Sequence, residues 1–119
     1  MADLADMQAK LKNLSDSYAA QLPEKIRQIE QAWSQLPPDE WDEEGFQTLH
    51  RMVHSLTGSG KTFGFALLSD VARKLEEHLK QIVWVKAAPD EAQRKRIHVL
   101  LSELRQVVSH RDTSTGDQA

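Results

Sequence analysis

The chain has 119 residues, enough for one domain with a core of its own, and no cysteine, which excludes a disulfide framework, a thiolate metal site and a thiol nucleophile. Fifteen basic and 18 acidic residues leave a formal charge of −3 with no basic face, so nucleic acid is excluded as the main partner. No apolar run approaches the ~18 residues of a membrane span, and the opening MADLADMQAK lacks a signal-peptide core, so no membrane partner and a cytoplasmic location are expected.

Helix formers dominate, with four prolines and five glycines. Leu4, Met7, Leu11, Leu14 and Tyr18 recur at spacings of three and four, an amphipathic helix over 3–20 that Asp3 can cap. Leu22, Ile26, Ile29, Trp33 and Leu36 continue the same phase past Pro23. A proline suits a first helical turn and disrupts an interior, so the pattern reads as two helices, 3–20 and 22–36, or as one helix kinked at Pro23. Pro37-Pro38 then stops it.

Asp39 or Asp42 opens the next helix, with Asp42, Glu43 and Glu44 suited to a positive helix end. Its stripe is Phe46, Leu49, Val53 and Leu56, with Met52 at the edge. On a helical wheel His54 lies about 130° from the centre of that stripe, beside Gln47, Arg51, Gly58 and Lys61, and is predicted on the solvent face. Gly64 marks the break. A third helix over 65–86 carries Leu68, Val71, Ala72, Leu75, Leu79 and Ile82, and turns Lys74, Glu77, Lys80 and Gln81 to water. After Ala87-Ala88-Pro89, Asp90 caps a last helix over 91–110 that buries Ile97, Leu100, Leu101, Leu104, Val107 and Val108. The fold class is therefore all-α: an antiparallel four-helix bundle with an additional N-terminal helix over residues 1–110, then a flexible polar tail at 111–119. Its exposed faces are well charged, so a monomer is expected.

One stretch, LHRMVHSLTGSGKTFG at 49–64, resists a purely structural reading. Each glycine inside a helix costs about 1 kcal/mol relative to alanine. Gly58-Ser59-Gly60-Lys61-Thr62 resembles the end of a phosphate-cradling loop, but Ser55 stands where that motif needs its first glycine, and a helix precedes it where a strand is required. His50 and His54 are four apart and could face one metal, yet Arg51 replaces the glutamate of a zinc-protease helix and no third ligand shares the pattern, so no metal is assigned. A hydrolase would need a nucleophile with a partnered base, whereas the serines and acids here fall on solvated faces or near caps. What remains is an exposed imidazole with small residues beside it. Imidazole can act as a nucleophile and carry a phosphoryl group through a P–N bond.

His54 followed by Gly58 and Gly64, with Phe63 before the second glycine, resembles the histidine-containing phosphotransfer (HPt) domain of two-component phosphorelays. The Leu75-Glu76 pair and the proline of Gln21-Leu22-Pro23-Glu24 resemble the family's neighbouring helices, so the likeness spans residues 4–108. It implies a phosphoryl carrier with no ATP-binding domain, not a stand-alone enzyme. His54 would take the group from a kinase or receiver-domain aspartate and pass it to another receiver aspartate. The receiver would bring the catalytic carboxylates and Mg²⁺, and this chain would bind no cofactor itself. Thr57 stands where the family usually has lysine; Arg51 and Lys61, with Thr57 itself, are then expected to steady the phosphoryl oxygens. Gly58 would give access, and Gln47, His50, Ser55 and Lys61 would border the docking patch. The GSGKTFGF run also resembles HPt modules of chemotaxis-type kinases and multidomain response regulators, so a segment of a longer protein is expected. Thr57 keeps open an alternative, a helical interaction or inhibitor domain that binds a kinase or receiver without carrying phosphate. A dimerising four-helix element of a sensor kinase is a third reading.

Overall fold

The computed structural model describes residues 3–118, with side chains through Ser109. All regular structure among them is helical: α1 (Asp3–Ser34), α2 (Glu43–Thr62), α3 (Ala66–Val85) and α4 (Glu91–Gln118). Each helix packs on its chain neighbours and α4 returns to α1, closing a four-helix bundle.

The ends follow local chemistry. Asp42, not Asp39, is the cap of α2: its Oδ1 accepts from the Gly45 amide at 3.0 Å. Asp39 instead faces Arg94 across the bundle at 3.7 Å. At the start of α4, Gln93 N donates to Asp90 Oδ1 at 2.8 Å and Asp90 N donates to Gln93 Oε1 at 2.9 Å, a reciprocal capping box. Between α2 and α3 the chain turns through Gly64 at φ +82°, a conformation that strains any residue with a Cβ. Lys86 closes α3 in the left-handed region and donates its amide to the Ile82 carbonyl at 3.0 Å.

The expected stripes supply the core. Phe46, Leu49, Val53 and Leu56 of α2 meet Leu68, Ala72, Leu75, Leu79 and Ile82 of α3, with Ile97, Leu100, Leu101, Leu104 and Val108 of α4 and Tyr18, Leu22, Ile26 and Ile29 of α1. Burying each large apolar side chain contributes roughly 1.5–3 kcal/mol before the entropy of ordering it. Rings plug both ends: Trp33 and Trp41 against Phe46 at one, Tyr18 against Phe63 and Phe65 at the other. These contacts set Trp33 level with the start of α2, and Tyr18 level with its end.

Two expectations need correction. The additional N-terminal helix is not a separate element; α1 is continuous through Pro23, so the bundle has four helices among the described residues. Pro23 removes one helical hydrogen bond, and it lies exposed at the edge of the face that buries Leu22 and Ile26 on either side of it. The stripe Leu4, Met7, Leu11 and Leu14 does not join the core either: these side chains are 66%, 58%, 59% and 55% exposed. α1 has 32 residues against 20 in α2 and 20 in α3, or about 48 Å against about 30 Å. Nothing from α2 or α3 reaches past Tyr18. The polar tail expected at 111–119 falls where side chains lie outside the described residues; the backbone there continues α4 to Gln118.

Candidate functional site

Because α2 buries Val53 and Leu56, His54 is rotated out of the core, with its side chain 71% exposed. It is held from one side. Glu76, one residue after the fully buried Leu75 of α3, sits only 16% exposed and takes a hydrogen bond from His54 Nδ1. An ionised carboxylate only accepts hydrogen bonds, so Nδ1 carries a proton, and in the neutral imidazole Nε2 then keeps its lone pair. Two neutral-side ring atoms thus acquire different chemistry from one contact: an anchored donor and an available nucleophile.

His50, one turn earlier on α2, lies at a ring-centroid distance of 6.2 Å from His54. Its Nε2 is 3.8 Å from the same Glu76 oxygen and is buried without a hydrogen-bond partner. His50 therefore backs the carboxylate and is half-buried, not a rim residue. Thr57 is half-buried too, and its hydroxyl donates to the Val53 carbonyl at 3.1 Å, so its one donor is occupied within α2.

The glycines divide the work. A Cβ built at Gly58 would meet nothing within 4 Å, so this exposed position is open space one turn beyond His54. A Cβ at Gly60 would touch Leu68 and Ser69 at 3.5 Å, because α2 and α3 approach closely there. Buried Ser69 reinforces the crossing by donating to the Thr57 carbonyl at 2.8 Å. At the same end Ser59 and Tyr18 share a hydrogen bond of 2.7 Å. Burial pushes the Tyr18 hydroxyl above its ordinary value, and the Ser59 hydrogen bond pulls part of the way back.

Arg51 and Ser55 lie on the α1 side of His54, in a cleft of about 300 Å³ that Lys25 and Gln28 of α1 also line. Arg51 donates to Thr48 Oγ1 at 3.4 Å. Gln47 and Lys61 are exposed on the outer face of α2. Arg73, which the sequence pattern leaves unassigned, and Lys80, expected only to face water, stand one turn either side of Glu76 on α3. Their signal was present in the Arg73-Glu76-Lys80 spacing, but it acquires meaning only when the α2–α3 register places Glu76 against His54. The five histidines divide likewise: His98 packs edge-on to Trp33 at 5.7 Å, away from this cluster. No group of three or more metal-ligating side chains is assembled among the described residues.

The chain is thus an all-α bundle that presents an exposed, carboxylate-held histidine at the middle of one helix. A family model described as the Hpt domain matches residues 13–110, and the chain belongs to that family. It is a phosphotransfer domain of two-component signalling, a family of phosphocarriers that interact with kinases and receiver domains. No helix among the described residues is long and apolar enough to cross a membrane. No curated protein and no solved structure matches the chain significantly.

Proposed function

We propose that His54 is the phosphoryl carrier, loaded from a kinase or from the phospho-aspartate of one receiver domain and unloaded onto the aspartate of another. The hydrogen bond from His54 Nδ1 to Glu76 is the observation that carries this reading, because in the neutral ring it assigns the proton to Nδ1 and the lone pair to the exposed Nε2. In the transfer the Nε2 lone pair attacks phosphorus in line. The P–N bond forms as the P–O bond to the aspartate breaks, and the carboxylate leaves with the electron pair. The ring becomes cationic, and Glu76 offsets that charge through the retained Nδ1 proton. Return transfer runs the same steps backwards onto a fresh carboxylate.

A divalent cation, Mg²⁺, would be brought by the receiver and would supply charge neutralisation at the phosphoryl oxygens. This chain contributes the nucleophile, the clearance at Gly58 and a local positive field. Arg51 and Lys25 stand toward α1 and Lys61 on the outer face of α2, with Arg73 and Lys80 on α3. Thr57 contributes only if its hydroxyl leaves the Val53 carbonyl. Gln47 and Ser55 border the docking face, and His50 supports it from behind.

The test is transfer from a ³²P-labelled receiver, with His54→Gln as control. Label on this chain that is acid-labile, alkali-stable and absent from His54→Gln is expected. Binding to receivers without any label would overturn the carrier reading and leave an interaction or inhibitor domain.

A further inference from the structure

We propose that His50 is a positioning residue for the phosphoryl carrier: its Nε2–H closes onto the Glu76 carboxylate and holds that carboxylate on His54 Nδ1. This deepens the carrier reading of His54 and rests on it. Among the described residues, His50 Nε2 is the one buried side-chain polar atom left without a hydrogen-bond partner, and buried polar groups are seldom left so without a reason. It stands 3.8 Å from Glu76 Oε2, the oxygen that already accepts from His54 Nδ1.

The chemistry of that pair fixes which way the proton lies. An ionised carboxylate offers no proton. With a lone pair on Nε2, two acceptors would face each other across a buried gap. With the proton on Nε2, the same gap holds a donor facing an anion, and a closure of about 1 Å makes the hydrogen bond. Glu76 has room for this second donor. Its side chain is only 16% exposed, and a carboxylate can accept about four hydrogen bonds. Among the described residues His54 alone donates to it. Arg73, one turn earlier on α3, is directed instead at Asp70, 4.0 Å away. A carboxylate that turned away would leave the cationic ring of phosphorylated His54 unmatched.

Spacing and register bring the three groups together. The step of four from His50 to His54 places both on one face of α2, with ring centroids 6.2 Å apart and planes within 25° of parallel. The register of α3 against them is pinned two turns before Glu76, where Ser69 donates to the Thr57 carbonyl at 2.8 Å and Gly60 lets the helices approach. His50 is 28% exposed against 71% for His54, which divides their roles. The exposed ring meets the phosphoryl donor, and the covered ring holds the carboxylate.

The test is ¹⁵N NMR of the unphosphorylated full chain, with phosphoramidate labelling beside it. In the wild type, neutral His54 should carry its proton on Nδ1, and neutral His50 should carry its own on Nε2, slow to exchange with solvent. His50→Leu occupies the space without a donor and should shift His54 toward its Nε2–H tautomer. His50→Gln, whose amide nitrogen can stand in for Nε2, should restore Nδ1–H. Labelling should slow about tenfold in His50→Leu and recover in His50→Gln, with helicity unchanged in both. In a Glu76→Ala background His50→Leu should add no further loss, because His50 acts through Glu76. A His50 proton on Nδ1 in the wild type, an unmoved His54 tautomer in His50→Leu, equal slowing by the two variants, or additive losses with Glu76→Ala would each overturn the proposal. A wild type that takes no label would overturn the carrier reading, and this role with it, whatever the tautomers.

Discussion

Residues 3–17 and 18–34 of α1 share one helix and one apolar stripe, yet the second half buries Tyr18, Leu22, Ile26 and Ile29 to 6% exposure or less while the first leaves Leu4, Met7, Leu11 and Leu14 more than half exposed. Periodicity fixes which face of a helix is apolar. What covers that face depends on how far the neighbouring helices reach, and α2 ends level with Tyr18. The same distinction separates the two faces of α2. Its apolar face is sealed by α3, and its polar face carries a histidine that α3 touches through one carboxylate.

The largest expected effect contrasts the halves of α1 directly. Leu22→Ala should lower the unfolding free energy by about 2–5 kcal/mol, as truncations of fully buried leucines do. Leu11→Ala in dilute solution should change it by less than about 0.5 kcal/mol. Chemical denaturation of both variants checks this, and equal losses would show that the first half is covered within the monomer.

A second contrast lies within the site. Glu76→Gln keeps the shape of the side chain but removes the anion that fixes the His54 tautomer. Phosphorylation should slow by about tenfold, worth roughly 1.4 kcal/mol in the transition state, with the denaturation midpoint nearly unchanged. Stopped-flow transfer from a phosphorylated receiver measures it. The two glycines give the next pair. Gly58→Leu should retain or raise stability, since helical glycine is costly and the position is open. It should also slow receiver transfer about tenfold while leaving phosphorylation by a small donor such as phosphoramidate intact. Gly60→Leu should instead destabilise the fold, because Leu68 and Ser69 already stand at contact distance from its Cβ.

The smallest effect concerns the residue between the halves of α1. The folded protein holds Tyr18 neutral above its ordinary value near 10. Above that pH the unfolded chain binds fewer protons than the folded one, so stability falls as pH rises. The loss levels off once folded Tyr18 also ionises. Tyr18→Phe should remove this alkaline component, which denaturation at pH 9 and pH 11 would detect.

Much of this was legible beforehand. The stripes of α2, α3 and α4 follow from amphipathic spacing, with Val71 and Val107 half-buried at the edge of the core instead of inside it. The outward position of His54 followed from its angle to Val53 and Leu56. Glu76 was visible only as half of a Leu75-Glu76 pair, since its contact depends on the register between two helices. His50 reads as half-exposed, as it is, but its approach to Glu76 depends on the same register. The continuity of α1 through Pro23 was open because a proline's cost is local, while the burial that outweighs it is tertiary. The exposure of Leu4 to Leu14 was unreadable because no local pattern states where a neighbouring helix stops.

The claim that His54 carries phosphate on Nε2, with Nδ1 bonded to Glu76, is tested most directly by ¹⁵N and ³¹P NMR of the domain phosphorylated by phosphoramidate. One phosphohistidine should appear, at His54, with phosphorus coupled to Nε2 and a proton retained on Nδ1. Phosphate on Nδ1 of His54, or on another of the five histidines, would contradict it.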